Sequence, residues 1–235
     1  MDYLEYIVYV LFIGAIILSL YAQIKVSGTF RKYSASYTFA GRTGAEVART
    51  VLSNSSVYCV QIARVRGNLT DHFDPRSNTL ALSDGVYASS STAAIGVAAH
   101  EAGHAVQHSV GYFPIRIRAA LVPVTTFASR ASWLFIMLGV LLLSLLPIGY
   151  YVLLFGVALF AITTLFQLVT LPCEFDASRR ALEALRETGE YSSEELRETK
   201  KVLTAAAMTY VAATLVSALQ LIRLLLIFTR GNRRR

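Results

Sequence analysis

Two histidines and a glutamate occur close together in the stretch His100-Glu101-Ala102-Gly103-His104. This stretch lies in an apolar run of Ala, Val and Ile without proline, so we predict a buried or half-buried helix. Residues four apart share one face of a helix, which allows His100 and His104 to bind a single metal ion. Glu101 would lie beside the open side of that ion, where it can accept a proton from water instead of acting as a ligand.

The same residues could instead form a hydrogen-bonded cluster in a protein core, because short motifs recur by chance. Two observations favour a metal. The motif uses two of the four histidines in the chain, and polar groups in an apolar helix are costly to bury without partners. Gly103 lowers helix propensity by about 1 kcal/mol relative to alanine, which indicates that space beside the helix matters. We therefore predict a zinc hydrolase centre, with Zn²⁺ as the cofactor.

The composition is that of a membrane protein. Hydrophobic residues make up 54% of the 235 residues and charged residues only 16%, which is too apolar for an ordinary soluble domain. The net charge is +7, and the basic residues flank apolar segments and end in the tail 230–235. We expect these charges to meet the anionic headgroups of a lipid bilayer, and no nucleic-acid motif is present. Cys59 and Cys173 lie far apart in sequence, so no disulfide framework is expected.

The first apolar stretch, Leu4–Ile24, is long enough to cross a bilayer as one helix. Asp2 and Glu5 lie before or at its start, whereas Lys25 and other basic residues follow it. Because positive charge marks the cytoplasmic end, we predict a transmembrane anchor over residues 1–24 with its N-terminus outside. It lacks the features of a cleaved secretory signal.

A zincin-like segment carrying the histidine motif is predicted over residues 25–111. Within it, Gly41–Ser53 has the pattern of an amphipathic helix, and Thr43 and Glu46 have the spacing of a capping box. Residues Val57–Val65 are rich in β-branched and aromatic side chains and are predicted to contain a strand.

A second strand is predicted at Thr79–Ser83, after a turn cluster at Asp71–Asn78. This strand comes just before the helix with the histidine motif. It could be an edge strand that holds an extended peptide through main-chain hydrogen bonds, or an ordinary hairpin strand.

Residues 131–173 contain no charged side chain and are too long for a single crossing. A Leu-Pro-Ile-Gly turn signal divides them, so we predict a transmembrane hairpin of Ser129–Leu146 and Tyr150–Leu171. A segment at the membrane surface, up to Arg130, precedes it, and together these parts form the region 112–172. Two crossings return the chain to the side on which it started.

Charged residues resume directly after the hairpin, in a helix rich in Glu and Arg over the region 173–201. An apolar helix and the basic tail follow over 202–235. Val202–Phe228 is apolar except for Arg223, and it is either a fourth crossing or a helix packed on the catalytic segment and the membrane surface. A fourth crossing would leave the terminal arginines outside, against the charge rule.

A catalytic zinc usually has three protein ligands and one position for water. His108 shares a helical face with His104 but lies about 6 Å further along the axis, beyond reach of the ion. His72 precedes the motif in a turn. Glu174 is favoured, because it lies where a predicted crossing ends and the hairpin returns it to the side of the motif. Asp176 competes with it, but side chains two apart on a helix point in different directions, so at most one carboxylate binds the metal.

Five parts of the sequence together follow one pattern: Asp71–Arg76, the strand ending in Leu82-Ser83, the motif His100–His108, the uncharged hairpin and Leu171–Ala177. This pattern resembles the YugP-like neutral zinc metallopeptidases of bacterial membranes, over nearly the whole chain. It is more remotely similar to the HtpX-type membrane gluzincins, whose third ligand is a Glu in an E-x-x-A-D arrangement. Glu174 and Ala177 match that arrangement, but Ser178 stands where that group has Asp.

The resemblance implies a multi-pass peptidase of the bacterial plasma membrane with its active site on the cytoplasmic side. The expected fold class is a mainly α integral membrane protein with a small β element, in which a zincin-like HExxH segment is joined to a transmembrane helical hairpin. Taken with the residues, it predicts zinc held by His100, His104 and Glu174. Glu101 would act as the general base that takes a proton from water and passes it to the leaving amine.

An oxyanion partner is normally needed in such a site. His72 and Tyr210 are candidates for that role, and Asp176 is a further candidate to support the ligands. The expected substrate is a peptide or protein segment near the membrane.

The alternative is a non-proteolytic membrane scaffold or partner-binding protein with a structural or vestigial zinc site. A fourth protein ligand, such as His72 or Cys173, would favour that alternative. A third possibility is hydrolysis of a non-peptide amide or a lipid headgroup, which differs from the first only in the pocket.

Overall fold

The structure, a computed structural model, describes residues 3–143 and 145–233. Asp2 and the last two arginines of the basic tail, which entered the charge argument above, lie outside the described residues, as does Ser144 of the predicted hairpin. In chain order the elements are α1 (Tyr3–Tyr33), α2 (Gly44–Asn54), β1 (Gln61–Val65), β2 (His72–Asp74), β3 (Thr79–Ser83), α3 (Asp84–Tyr87), α4 (Thr92–Ser109), α5 (Phe113–Leu143), α6 (Gly149–Glu187) and α7 (Ser193–Arg233).

Four helices in the described part of the chain are long and apolar enough to cross a membrane: α1, α5, α6 and the Ser193–Thr229 part of α7. The predicted fold class, a mainly α integral membrane protein with a small sheet, is confirmed. The helix that contains the predicted anchor extends beyond Ile24, because α1 continues to Tyr33. The last apolar segment, left open above, belongs to a helix of sufficient length to span.

The small sheet has the strand order β1-β3-β2, so Thr79–Ser83 is its central strand. β1 pairs with β3 in parallel and β2 pairs with β3 antiparallel. The interpretation of Thr79–Ser83 as an edge strand is therefore wrong. Leu80 and Leu82 are fully buried and Ala81 is nearly so. A strand that is buried on both faces is typical of the middle of a sheet rather than its edge.

The turn cluster at Asp71–Asn78 contains the short strand β2 as well as the predicted turn. Asp74 closes that turn by accepting hydrogen bonds from the backbone N–H of Arg76 (3.0 Å) and the hydroxyl of Ser77 (2.7 Å). The pKa of Asp74 lies below its ordinary value, mainly because of the hydrogen bond from the Arg76 N–H and, after it, the one from the Ser77 hydroxyl. Asp71 then accepts the backbone N–H of Ser83 at 2.7 Å, which ties the cluster to the end of β3.

The capping box predicted for α2 is confirmed. The backbone N–H of Thr43 donates to the Glu46 carboxylate at 2.8 Å, and the Thr43 hydroxyl accepts the N–H of Glu46 at 3.3 Å. The hydrogen bond from the Thr43 N–H is the main reason that the pKa of Glu46 lies below its ordinary value. The cap fixes the start of α2 at Gly44. The apolar face of this helix, which includes Val47 and Val51, packs into the core.

Helix α4 carries the histidine motif and lies at the centre of a buried core. Ser91 caps its N-terminus by accepting the backbone N–H of Ala94 at 3.2 Å. Small residues make its surface flat enough for close packing. The core around it contains Val47, Val51, Leu80, Leu82, Val86, Ile95, Ala98, Ala99, Ala102, Ala181, Leu185 and Leu203. Helices α2, α6 and α7 and strand β3 thus all contribute to the surroundings of the motif.

The long helices are more continuous than the sequence indicated. A separate surface segment was expected over residues 112–130, but residues 113–130 form the first part of α5, and α6 runs through Pro172 without a break. An interior proline removes one helical hydrogen bond, but the remaining turns of a long helix still satisfy their own backbone groups. The turn predicted between the two crossings is confirmed, since α5 ends at Leu143 and α6 begins at Gly149.

The charged helix expected to reach Lys201 instead ends at Glu187, and α7 starts at Ser193. Gly189 adopts a φ of 68°, the left-handed conformation that commonly follows the end of a helix. Ser192 and Glu195 then exchange hydrogen bonds, with the N–H of Ser192 donating to the Glu195 carboxylate at 2.7 Å. This second capping box starts α7.

The chain divides into two compact units. The apolar unit comprises Met1–Tyr21, Ile117–Leu171 and Tyr210–Arg235, and the sheet-bearing unit comprises Ala22–Arg116 and Pro172–Thr209. In the apolar unit α5 and α6 pack closely: a Cβ on Gly156 would lie 2.7 Å from the backbone nitrogen of Ile136. Thr164 and Ser217 join α6 to α7 by a hydroxyl hydrogen bond of 2.8 Å. All elements described in the next subsection lie in the sheet-bearing unit unless stated.

Candidate metal centre

Three side chains converge between α4 and α6. The Nε2 atom of His100 lies 3.3 Å from one carboxylate oxygen of Glu174, and the Nε2 atom of His104 lies 3.6 Å from the other. The two imidazole rings meet edge to face with centroids 4.7 Å apart. Candidate ligand atoms of all three residues lie within 4.8 Å of one another. His104 and Glu174 are buried, and His100 is partly buried.

The donor set fits a zinc ion. Two ligands in a tetrahedral zinc site are about 3.3 Å apart when each lies about 2.0 Å from the metal, close to the two nitrogen–oxygen distances above. The Nδ1 atom of His104 lies 3.0 Å from the amide oxygen of Gln107, so this nitrogen carries the proton. The unprotonated Nε2 of a neutral His104 then faces a buried carboxylate. Such an arrangement requires an additional proton or a metal cation between the two groups.

A glycine allows the two helices to come close enough for this cluster to form. A Cβ on Gly103 would lie 2.8 Å from the backbone oxygen of Ala177 and 3.3 Å from its Cα. Gly103 precedes His104 on α4, and Ala177 is three residues after Glu174 on α6. The close approach therefore occurs at the level of the three candidate ligands, which explains the glycine in the motif.

We expect Gly103→Ala to weaken zinc binding by about 10-fold or more, although alanine raises helix propensity by about 1 kcal/mol. The added methyl group meets backbone atoms of α6, which cannot rotate away, so the carboxylate of Glu174 moves relative to the histidines. Zinc affinity is measured by competition with a chromophoric chelator. Gly28→Ala in α1 is the matched control, since a Cβ there would have no heavy atom within 4 Å. Equal zinc affinities in the two variants would contradict this explanation.

Glu101 follows His100 on α4 and is partly buried. Among the residues that the structure describes, none forms a hydrogen bond or an ion pair with its carboxylate. The carboxylate is therefore available to bind a water molecule or a substrate group.

In the described part of the chain, the two other histidines are not members of the candidate ligand group. His72 is on the edge strand β2, exposed, with its Nδ1 atom 2.8 Å from the backbone oxygen of Thr70. His108 is exposed at the end of α4 with its ring against Phe73. Tyr210 belongs to the apolar unit. The suggested oxyanion role of His72 and of Tyr210 stays a prediction.

Among the described residues, the hydrogen-bond partners of Asp176 do not include the three candidate ligands. Its carboxylate accepts hydrogen bonds from the side-chain amide of Gln107 (2.9 Å), from Arg180 (2.6 Å) and from Arg179. The candidate group for a metal in the described residues contains Glu174 and not Asp176. The two carboxylates, two residues apart on α6, thus face different surroundings, as their spacing on a helix indicates.

Two residues that contact the candidate ligands were not recognised as site residues from the sequence. Gln107 contacts His104, and the Ser178 hydroxyl lies 3.1 Å from the Nδ1 atom of His100. Gln107 could have been found, because it is three residues after His104 and therefore close to it on the helix. Ser178 was noticed only as a departure from the E-x-x-A-D arrangement. In the structure it contacts His100 at the position where that arrangement has a carboxylate.

The chain belongs to the family described as "Putative neutral zinc metallopeptidase", whose model matches residues 8–229. The resemblance inferred from the sequence is thereby confirmed. Among curated proteins, the chain is similar to the "Putative membrane protease YugP" of Bacillus subtilis (strain 168). The two are 46% identical over 220 residues, which cover 94% of this chain and 96% of that protein. No solved structure matches the chain.

Proposed function

We propose that this protein is a membrane-embedded zinc endopeptidase that hydrolyses peptide bonds in membrane-proximal segments of its substrates. One observation carries the proposal: the convergence of the side chains of His100, His104 and Glu174 on one place between α4 and α6. Membership of a zinc metallopeptidase family and similarity to a protein described as a membrane protease support it.

In this proposal His100, His104 and Glu174 hold the zinc ion, which supplies Lewis-acid activation of water and of the scissile carbonyl. Glu101 holds the attacking water through its carboxylate and removes one proton as the new C–O bond forms. The protonated Glu101 then donates that proton to the peptide nitrogen while the C–N bond breaks. The water oxygen, which keeps the second proton of the water, becomes part of the new carboxyl group, and the amine leaves with the proton from Glu101.

The number of candidate ligands supports a hydrolase over the scaffold alternative. In the part of the chain that the structure describes, the group contains three residues, and neither His72 nor Cys173 is a member. A structural zinc site is usually closed by four protein ligands, whereas a catalytic one keeps a position for water. Glu174 is buried, so its negative charge would offset part of the positive charge of a zinc ion at a site with little access to water.

We place the active site at the cytoplasmic face of a bacterial plasma membrane. The basic residues Lys25, Arg31 and Lys32 follow the apolar stretch of α1 and belong to the same compact unit as the cluster. Positive charge next to a membrane-spanning helix favours the cytoplasmic side. Peptide segments that lie at that surface are the expected substrates.

Removal of zinc tests the proposal. Purified in detergent or reconstituted in vesicles, the protein is expected to cleave an unfolded or membrane-anchored reporter substrate. A strong chelator should reduce the rate to background, and stoichiometric Zn²⁺ should restore it. A matched control is the double variant His100→Ala/His104→Ala, which should stay inactive after zinc is added back. Cleavage that persists in the zinc-free protein or in the double variant would rule out the proposed mechanism.

A further inference from the structure

Gln107 is a fully buried polar side chain between α4 and α6. Its amide nitrogen donates to the backbone oxygen of Cys173 at 2.8 Å and to the carboxylate of Asp176 at 2.9 Å. Its amide oxygen lies 3.0 Å from the Nδ1 atom of His104. Three hydrogen bonds to three different residues use both donors of the side chain and one lone pair of its oxygen.

These partners fix which way the amide points. A backbone carbonyl oxygen and a carboxylate only accept hydrogen bonds, so the nitrogen of Gln107 must face Cys173 and Asp176. The oxygen must then face His104, and the Nδ1 of that ring must donate. In a neutral His104 ring, Nε2 is then the atom without a proton, and it is the one directed at Glu174.

Asp176 is in turn held in place. Arg179 and Arg180, one helical turn further along α6, both donate to its carboxylate, and the side chain is only 11% exposed. Arg180 also lies over the ring of Tyr112, next to the end of α4, at 5.9 Å from the centroid. The carboxylate is therefore a fixed acceptor for Gln107 rather than a mobile surface group.

The other histidine lacks such a constraint. The Nδ1 atom of His100 faces the Ser178 hydroxyl, which can either donate or accept. Gln107 thus selects one tautomer of a neutral His104, whereas Ser178 does not select a tautomer of His100.

We propose that Gln107 is a positioning residue, which holds the ring of His104 in the tautomer and orientation needed to bind zinc through Nε2, and that Asp176 anchors Gln107. This inference deepens the proposed function and rests on its zinc site. The group that contacts a histidine ligand is usually a carboxylate, a backbone carbonyl or a water molecule. Here an amide stands between the carboxylate of Asp176 and the imidazole.

The test compares the zinc affinity of the full-length protein with that of Gln107→Met, which keeps the size and unbranched shape of the side chain but removes all three hydrogen bonds. We expect zinc binding, measured by chelator competition, to weaken by about 10–100-fold. The absorption bands of bound Co²⁺ are expected to shift, because the His104 ring changes orientation. Neither readout depends on proteolytic activity.

Thr199→Val is the matched control for lost packing. It removes another buried hydrogen bond to α4, from the Thr199 hydroxyl to the backbone oxygen of Thr92 at 3.1 Å, away from the candidate ligands. The zinc-free forms of both variants are expected to unfold at reduced temperature, but only Gln107→Met should lose zinc affinity and alter the Co²⁺ spectrum.

A second pair of variants covers the case in which Gln107→Met does not fold. Asp176→Ala removes the anchor without touching His104 and is expected to weaken zinc binding by about 10-fold, whereas Asp176→Asn keeps an acceptor oxygen and should weaken it less. Zinc affinity unchanged in Gln107→Met, or in Asp176→Ala where only that variant folds, would overturn the inference, as would an equal loss in Thr199→Val. Failure of the unaltered protein to bind zinc would instead overturn the proposed function.

Discussion

Replacing Glu101 with glutamine is expected to lower the rate of peptide hydrolysis by about 10²–10⁴-fold while zinc content stays at the level of the unaltered protein. The amide has nearly the size of the carboxylate but cannot take a proton from water. Because Glu101 has no hydrogen-bond or ion-pair partner among the described residues, its replacement should not disturb the packing of α4. The rate is measured as kcat/KM on a fluorogenic peptide, and zinc by elemental analysis of the purified protein.

Glu194→Gln is the control for this variant. Glu194 is an exposed glutamate at the start of α7 that pairs with Arg197 at 2.5 Å, and it lies outside the candidate site. Its replacement should change neither the rate nor the zinc content. Hydrolysis by Glu101→Gln at the rate of the unaltered protein would remove the residue from the role of general base, and loss of zinc would make it a ligand.

Glu174→Ala is expected to have the second large effect, the loss of zinc and of activity together. The change leaves only two histidine ligands, so zinc affinity should fall by more than the roughly 100-fold that follows loss of a supporting hydrogen bond. The histidines also lose the buried carboxylate that lies 3.3 and 3.6 Å from their Nε2 atoms. Chelator competition measures the zinc affinity, and the same samples are assayed for hydrolysis.

Asp176→Asn is the informative comparison, because Asp176 lies two residues further along the same helix and was the competing candidate ligand. We expect this variant to keep its zinc within about 10-fold of the original affinity, since the carboxylate bonds to Gln107, Arg179 and Arg180 instead of facing the cluster. If Asp176→Asn lost the metal and Glu174→Ala kept it, the assignment of the third ligand would be reversed.

The site could be predicted from sequence to the extent that it depends on local spacing. His100 and His104 are one helical turn apart, and that spacing alone places both rings on one face. Glu174 lies 70 residues from His104 in sequence, and it was proposed from the expectation that a transmembrane hairpin would return the chain and from the E-x-x-A-D resemblance. Ser178 could not have been assigned a partner, because its contact with His100 depends on how closely α4 and α6 pack.

The sequence predicted most of the helices from local signals. It did not predict the position of β3 within the sheet, because that position depends on tertiary pairing. The capping box of Thr43 and Glu46 was recognised and is present. The same signal at Ser192 and Glu195 was available but was overlooked, so the end of α6 was misplaced. The central position of Thr79–Ser83 depends on parallel pairing with β1, and the sequence of one strand does not reveal its neighbours.

The central claim is that one zinc ion is bound jointly by His100, His104 and Glu174. X-ray diffraction from crystals of the zinc-loaded protein, with data collected on both sides of the zinc absorption edge, tests it most directly. We predict a single anomalous peak about 2.0–2.2 Å from an Nε2 atom of each histidine and from a Glu174 carboxylate oxygen, with no fourth protein ligand. A peak bound by Asp176 or by the Cys173 sulfur, or a site closed by four protein ligands, would contradict the claim.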